Sequence, residues 1–277
     1  MEKEKLRILF ATMEIDPFLI QSDAAEFIRY LPQGLHEQGH EIRILMPKFG
    51  VINERRNRLH EVVRLSGINI RVGNEEKPLT IKVATIQNTR LQVYFLDNED
   101  YFQRKSVLND PKSLAFHPDN DERAIFFCKG VIETVKKLGW TPHIIHCHGW
   151  MTALIPLYLK TYFREDPFFA HTKVVYTMYR DKLDMPLPLN FAEKASHDGM
   201  PPNFADELRQ YTGDRYADVC GGGMRTADVV TKGHPELESY LEDCIRENNI
   251  DVAYDFNGHD RNSYVDYYSQ LYEEIIG

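Results

Sequence analysis

Short apolar segments alternate with segments of helical periodicity along much of this chain. Residues 6–11 form a first apolar run, and residues 41–46 form a second, which Pro47 ends. Between them lies a helical pattern with four apolar side chains on one face: Phe27, Ile28, Leu31 and Leu35. A strand, a helix and a second strand in this order are typical of a parallel β-α-β unit.

The same alternation predicts the rest of the fold. Polar and apolar residues alternate over 68–72, 80–83 and 91–95, which favours an inserted meander of strands. The elements predicted after a polar loop at 105–118 are a helix over 120–138, a strand ending at His148, strands over 173–178 and 228–231, and a helix from 235 to about 247. The fold class is therefore α/β, a Rossmann-like parallel sheet with flanking helices.

Composition and charge exclude several classes of protein. The 277 residues are 43% hydrophobic, which is enough for a packed core, and the formal net charge of −9 argues against a nucleic-acid partner. The four cysteines lie far apart without paired spacing, so neither a zinc cluster nor a redox CxxC motif is visible. We expect no metal site and no cofactor. The amino terminus is too charged for a signal peptide or membrane span, and we expect a cytoplasmic protein with no membrane contact.

Imidazoles stand where an α/β sheet usually holds its ligand. His146 and His148 end an apolar run, and Gly149 breaks it before an apolar helix begins near Leu154. Small molecules bind at the carboxyl ends of parallel strands, so ligand contact by His148 is one interpretation. The alternatives are structural packing of both rings at the strand end and a metal pair, which would need further ligands.

Several segments carry a resemblance to a known family. They are 8–18, 31–32, 39–43, 46–50, 119–123, 146–153 and, more weakly, 222–231. In this order and spacing the chain resembles the amino-terminal catalytic domain of bacterial glycogen and starch synthases, glycosyltransferase family 5. The run 53–57 is similar in particular to divergent members from the Bacteroides group.

The resemblance implies the amino-terminal half of a two-Rossmann-domain (GT-B) glucosyltransferase. Such an enzyme moves glucose from ADP-glucose to an α-1,4-glucan, with the acceptor on this domain and most nucleotide contacts on a second one. Because the resemblance ends near residue 235, we expect one domain over 1–277, with a core of about 6–234, a helical tail of about 235–277 and no donor-binding domain. Residues 264–276 of that tail either dock on the domain or contact a protein partner or a second copy.

Site residues follow from motif positions. The resemblance implies that His148 holds the transferred glucosyl group and shields developing positive charge, and that Asp119 and Asn120 shape the acceptor side. Asp119 and Asn120 alternatively cap a helix. Arg123 is either a substrate contact or an ion-pair partner in the first helical turn.

Three further positions extend this list of substrate contacts. Trp150 and Tyr179 are suited to stacking on sugar rings, although aromatic residues equally fill cores. Arg180 either adds positive charge to the cleft or is solvated at a strand end. Tyr179 and Arg180 stand where the family has a His-Asn pair.

The donor loop departs most from the family pattern. A Lys-Thr-Gly-Gly-Leu sequence normally neutralises donor phosphate, whereas this chain has Ile20, Gln21, Ser22, Asp23 and Ala24. The lysine charge is gone and Asp23 would repel phosphate. We therefore expect a glucosyltransferase-like protein whose substrates are α-glucan or ADP-glucose but which is inactive or partner-dependent alone. The alternatives are a noncatalytic α-glucan-binding module and an assembly subunit.

Overall fold

A ten-stranded, mainly parallel sheet forms the centre of the molecule. The computed structural model describes residues 5–22, 24–197, 199–254 and 261–277. The strands are β1 Arg7–Thr12, β2 Glu41–Pro47, β3 His60–Glu61, β4 Ile68–Val72, β5 Glu75–Thr85, β6 Gln92–Asp97, β7 Ile144–His148, β8 Lys173–Met178, β9 Val229–Lys232 and β10 Val252–Tyr254. Their order is β10-β9-β8-β7-β1-β2-β6-β5-β3, with β4 paired to β5. The first seven strands in this order are parallel, and the β3, β4 and β5 insertion is antiparallel.

Helices cover both faces of the parallel strands. They are α1 Ala24–Glu37, α2 Glu99–Phe102, α3 Asn120–Leu138, α4 Leu154–Lys160, α5 Phe191–Ala195, α6 Phe204–Leu208, α7 Tyr216–Thr226, α8 Ser239–Glu247 and α9 Arg261–Ile276. Right-handed crossovers place α1 on one face and α3, α4 and α7 on the other, because the chain moves in opposite directions along the sheet from β1 and from β7. Helix α9 packs on α1.

The predicted α/β class and the main strands are confirmed, while several short elements were not foreseen. Helices α2, α5, α6 and α7 and strands β3 and β10 were not predicted. Helix α7 contains three consecutive glycines, a sequence that disfavours a helix. They permit close packing instead, since a Cβ at Gly222 would lie 2.3 Å from the Tyr211 ring and one at Gly223 would lie 3.1 Å from the Ala153 carbonyl oxygen.

The predicted start of α8 at residue 235 was wrong. The helix begins at Ser239, and the preceding residues form a turn in which the Glu236 N–H donates to Nδ1 of His234 (3.0 Å). This local side-chain bond competes with the first helical turn.

The tail docks on its own domain. Tyr264, Tyr268 and Tyr272 of α9 are buried, and a Cβ at Gly34 of α1 would lie 2.6 Å from Cγ2 of Val265. The small residue therefore lets the two helices approach closely. Of the two sequence interpretations of this segment, docking is the one that the structure supports.

Candidate functional site

A polar row crosses the carboxyl ends of four neighbouring strands. Strand register places Thr12 beside His148, His148 beside Thr177 and Thr177 beside Thr231. All four side chains are almost completely buried. Burying a polar group costs free energy unless the group is hydrogen-bonded, so the partners of these four side chains show what this part of the sheet can do.

His148 lies in this row with one ring nitrogen bonded and the other without a partner. Its Nδ1 is 2.8 Å from the Tyr179 hydroxyl, while its Nε2 is buried and contacts no hydrogen-bonding group of the described residues. The Phe10 ring stacks on it at 5.6 Å. Burial lowers the pKa of His148 to about 3, so the imidazole is neutral at physiological pH.

A small cavity opens beside His148. Its volume is about 20 Å³, which is room for one water molecule and not for a sugar ring. Besides His148, its lining includes the charged or polar residues Thr12, Glu14, Ser22, Tyr179 and Asp181. The predicted strand-end position of His148 is confirmed, but the loops around it leave the site closed.

Glu14 fixes the loop that replaces the family's donor loop. Its Oε2 accepts from the backbone N–H groups of Gln21 (2.6 Å) and Ser22 (2.9 Å), and its Oε1 accepts from the Ser22 hydroxyl (2.6 Å). Gln21 and Ser22 lie three and two residues before α1, which begins at Ala24, so these N–H groups belong to the loop and not to the first turn of the helix. Glu14 is therefore the anion that the N–H groups of this loop already bind.

The other residues of the loop were expected to lack the positive charge that binds donor phosphate. Ile20 is 62% exposed and brings no charge to the cavity. Ser22 also accepts from the Ala24 N–H through its hydroxyl (3.2 Å). Asp23, which the sequence predicted to repel phosphate, lies outside the described residues.

Asp181 was not identified from the sequence. The half-buried side chain lines the cavity, and burial, followed by the nearby Glu14 carboxylate, raises its pKa to about 6 against an opposing hydrogen bond from the Trp150 backbone. Two carboxyl groups next to a neutral imidazole give the cavity an acidic character. The Glu14 side chain was visible in the first motif, but the sequence carries no signal that brings Asp181 to it.

His146 has a structural role. Its Nδ1 lies 2.5 Å from the Tyr272 hydroxyl and its Nε2 lies 2.5 Å from Oγ1 of Thr177. Thr177 in turn bonds Thr231, which accepts from the Tyr268 hydroxyl (3.0 Å). Burial, together with the neighbouring His148, lowers the pKa of His146 well below its usual value. Among the described residues no group of three His, Cys, Asp or Glu side chains could hold a metal ion.

The predicted acceptor-side residues lie at the start of α3, outside the His148 cavity. Asp119 occupies the N-cap position but its side chain caps nothing and pairs with Arg104 through both oxygens. Asn120 donates to the Leu108 carbonyl (2.9 Å) and accepts from Arg123 (2.5 Å). Asp119 is therefore the N-cap residue, as the capping interpretation predicted, but its side chain makes no capping hydrogen bond.

Arg123 forms a buried cationic centre. Its Nη1 donates to the Val107 carbonyl (2.6 Å), and its guanidinium lies over the Phe49 and Phe102 rings at 5.2 and 5.3 Å. Its Nε and Nη2 have no hydrogen-bond partner in the described part of the chain. Burial lowers its pKa to about 10. Of the two interpretations of Arg123, the ion pair in the first helical turn is not formed among the described residues, where Asp119 pairs with Arg104.

The remaining predicted contacts do not form an open sugar platform. Trp150 is 2% exposed and packs against Phe116 and Tyr216, and Tyr179 is 6% exposed. Arg180 is exposed, pairs with Glu236 and Glu238 at 3.6 and 3.7 Å, and does not line the cavity. Of the predicted residues that the structure describes, only His148, Tyr179, Trp150 and Ser22 meet around one cavity.

The family model for the starch synthase catalytic domain matches residues 7–241. The chain belongs to this family. A glycogen synthase of Chlorobium luteolum is 41% identical over 231 residues, which cover 83% of this chain and 46% of that protein. One of Chlorobium limicola is 37% identical over 227 residues, which cover 79% of this chain and 46% of that protein.

A solved structure confirms the fold. The catalytic domain of starch synthase IV from Arabidopsis thaliana, bound to ADP and acarbose, superposes with a TM-score of 0.72 at 19% identity. The match covers 94% of this chain and 53% of that chain. The starch synthase-like chain thus spans about half the length of the curated relatives that it matches. Among the described residues no helix is long and apolar enough to cross a membrane.

Proposed function

We propose that residues 1–277 form the glucan-acceptor side of a glucosyltransferase of the glycogen and starch synthase type and do not transfer glucose by themselves. The observation that carries this proposal is the Glu14 carboxylate on the Gln21 and Ser22 amides. A donor diphosphate would have to displace a buried carboxylate to reach these N–H groups. The relatives support the reaction class, since they are glycogen synthases.

The charges around the cavity also disfavour donor binding. Glu14 and Asp181 both line it, and Arg180 is paired elsewhere. A leaving diphosphate needs cations or helix amides to stabilise its charge, because only interactions that strengthen in the transition state accelerate transfer. A donor-binding part, on the same or another polypeptide, would have to supply them.

His148 would act as a hydrogen-bonding group and not as a proton carrier. A pKa of about 3 keeps the ring neutral throughout the neutral range, which is far from the value that suits a general acid or base. His148 lines the cavity and its Nε2 has no partner among the described residues, so this nitrogen would bond a sugar hydroxyl once the loop at residues 20–22 opens. The bonds from Glu14 to that loop hold it closed in the absence of glucan.

The test is ADP release from ADP-glucose with glycogen as acceptor, combined with calorimetric titration of maltoheptaose and of ADP-glucose. We expect maltoheptaose to bind, ADP-glucose not to bind, and no ADP release above that of heat-inactivated protein. His148→Ala should weaken maltoheptaose binding, whereas Val63→Ala, at a site that is 77% exposed, should not. ADP release that His148→Ala abolishes would overturn the claim of inactivity. Failure to bind maltoheptaose would overturn the acceptor-side assignment.

A further inference from the structure

A second cavity lies between α3, α4 and strand β4. Its volume is about 300 Å³, and it shares no lining residue with the His148 cavity. The residues that matter for its chemistry are Arg71, Lys129, Glu133, Tyr158, Tyr162 and His197. Tyr162 is 42% exposed, so the cavity is open to solvent on that side.

Lys129 is a buried amine without a carboxylate partner among the described residues. Only 7% of the residue is exposed, its Nζ donates to the Arg71 carbonyl (2.8 Å), and it lies 5.2 Å from the centre of the Tyr158 ring. Burial, followed by the Arg71 charge, lowers its pKa to about 7. A large fraction of this amine is therefore neutral at physiological pH, whereas about one in 2,500 ordinary lysines is neutral at pH 7.

Glu133 brings a carboxyl group to the same cavity. It follows Lys129 by one helical turn of α3, and both side chains line the cavity. Burial raises the pKa of Glu133, against the opposing effect of Lys136. A partly neutral amine and a carboxyl group one helical turn away, whose pKa is raised by burial, supply the nucleophile and the proton donor that imine formation requires.

We propose that Lys129 is a reactive amine whose cavity captures a small hydroxylated aldehyde or ketone as an imine. The Nζ lone pair forms a C–N bond to the carbonyl carbon, and the carbonyl oxygen then leaves as water with the two amine hydrogens. Nothing is oxidised or reduced. Glu133 donates a proton to the departing hydroxyl and recovers one from the nitrogen. The open side of the cavity presents the Tyr162 ring, Asn69 and Glu76 for contact with the hydroxyl groups.

The test is reductive trapping with glycolaldehyde and cyanoborohydride at pH 7, read by peptide mass spectrometry of the full chain. We expect Lys129 to be alkylated at least about 10-fold faster than the exposed Lys112, because its amine is far more often neutral. The preference should vanish when the protein is unfolded in urea. Equal or slower alkylation of folded Lys129 would overturn the proposal.

Two variants separate reactivity from structure. Lys129→Arg retains a long cationic side chain but has no primary amine at this position, so the corresponding peptide should stay unmodified while the other lysines react as before. Glu133→Gln keeps the side-chain size and should slow trapping at Lys129 by about 10-fold or more. An unchanged rate in Glu133→Gln, with an unchanged melting temperature, would overturn the role of Glu133. These outcomes do not depend on glucan binding or ADP release, which test the other cavity.

Discussion

The Tyr179 hydroxyl lies 2.8 Å from Nδ1 of His148, at the ends of two adjacent parallel strands. We predict that Tyr179 donates this bond, which places the ring proton of His148 on Nε2. Tyr179→Phe then leaves a buried nitrogen unbonded and should lower the free energy of unfolding by about 1–3 kcal/mol. Urea unfolding measures this loss, and ¹⁵N NMR of the histidine rings identifies the tautomer.

The matched control is Tyr162→Phe, which removes a hydroxyl from a side chain that is 42% exposed. This change should alter stability by no more than about 0.5 kcal/mol. A proton on Nδ1 in the wild-type protein would show that His148 donates to Tyr179, contrary to the prediction.

His148 should make folding sensitive to acid. Its pKa is about 3 in the folded chain and about 6.5 in an unfolded chain, so the unfolded state binds more protons below pH 6.5. The stability linked to the neutral ring is complete above pH 6.5 and is lost progressively as the pH falls toward 3. Between pH 6.5 and 5.5 the loss should be about 1 kcal/mol.

His148→Gln isolates this effect. Asp181 has the opposite sign, since its raised pKa of about 6 favours the folded state as the pH falls, and it remains in both proteins. The wild-type protein should therefore lose about 1 kcal/mol more than His148→Gln over this pH interval. Parallel pH profiles for the two proteins, measured by urea unfolding, would contradict the buried neutral state of His148.

Gly34 controls the contact between α1 and α9. A Cβ at this position would lie 2.6 and 2.7 Å from the two γ-carbons of Val265. Alanine gains about 1 kcal/mol in helix propensity, but overpacking of a core contact costs about 1–3 kcal/mol. Gly34→Ala should therefore be neutral to destabilising by about 2 kcal/mol in the wild-type protein.

Removal of the clash should reverse the sign. In a Val265→Ala background, Gly34→Ala should stabilise the protein by up to about 1 kcal/mol, because only the propensity gain remains. A double-mutant cycle in urea measures the coupling. If Gly34→Ala has the same effect in both backgrounds, α9 does not pack on α1 at this position.

The sequence predicted the position of His148 better than its surroundings. An apolar run followed by Gly149 is sufficient to place His148 at a strand end, because the backbone of Gly149 adopts a positive φ of 73° that favours glycine. The Tyr179 bond depends on the register between β7 and β8, and no local pattern encodes that register. Glu14 and Asp181 line the same cavity although they are far apart in the sequence. Their proximity could not be predicted from any local pattern either.

We predict that the Glu14 carboxylate holds the loop at residues 20–22 in place. Its side chain accepts two backbone N–H bonds and one hydroxyl bond, and 5% of the residue is exposed. In Glu14→Gln the amide group cannot accept at both ends and carries no charge. Since bonds to charged groups contribute about 1.5–3 kcal/mol each, we expect a loss of about 2 kcal/mol in unfolding free energy.

Amide hydrogen exchange measures how firmly Glu14 holds this loop. The Gln21 and Ser22 amides should exchange about 10-fold faster in Glu14→Gln, because their acceptor is weakened. The pKa of Asp181 should fall, since the neighbouring negative charge that helps to raise it is removed while burial remains. Glu165→Gln makes the same charge change at a side chain that is 95% exposed and should leave both amides protected. If Glu14→Gln leaves their exchange unchanged, Glu14 does not hold this loop, and the proposed obstacle to donor phosphate disappears with it.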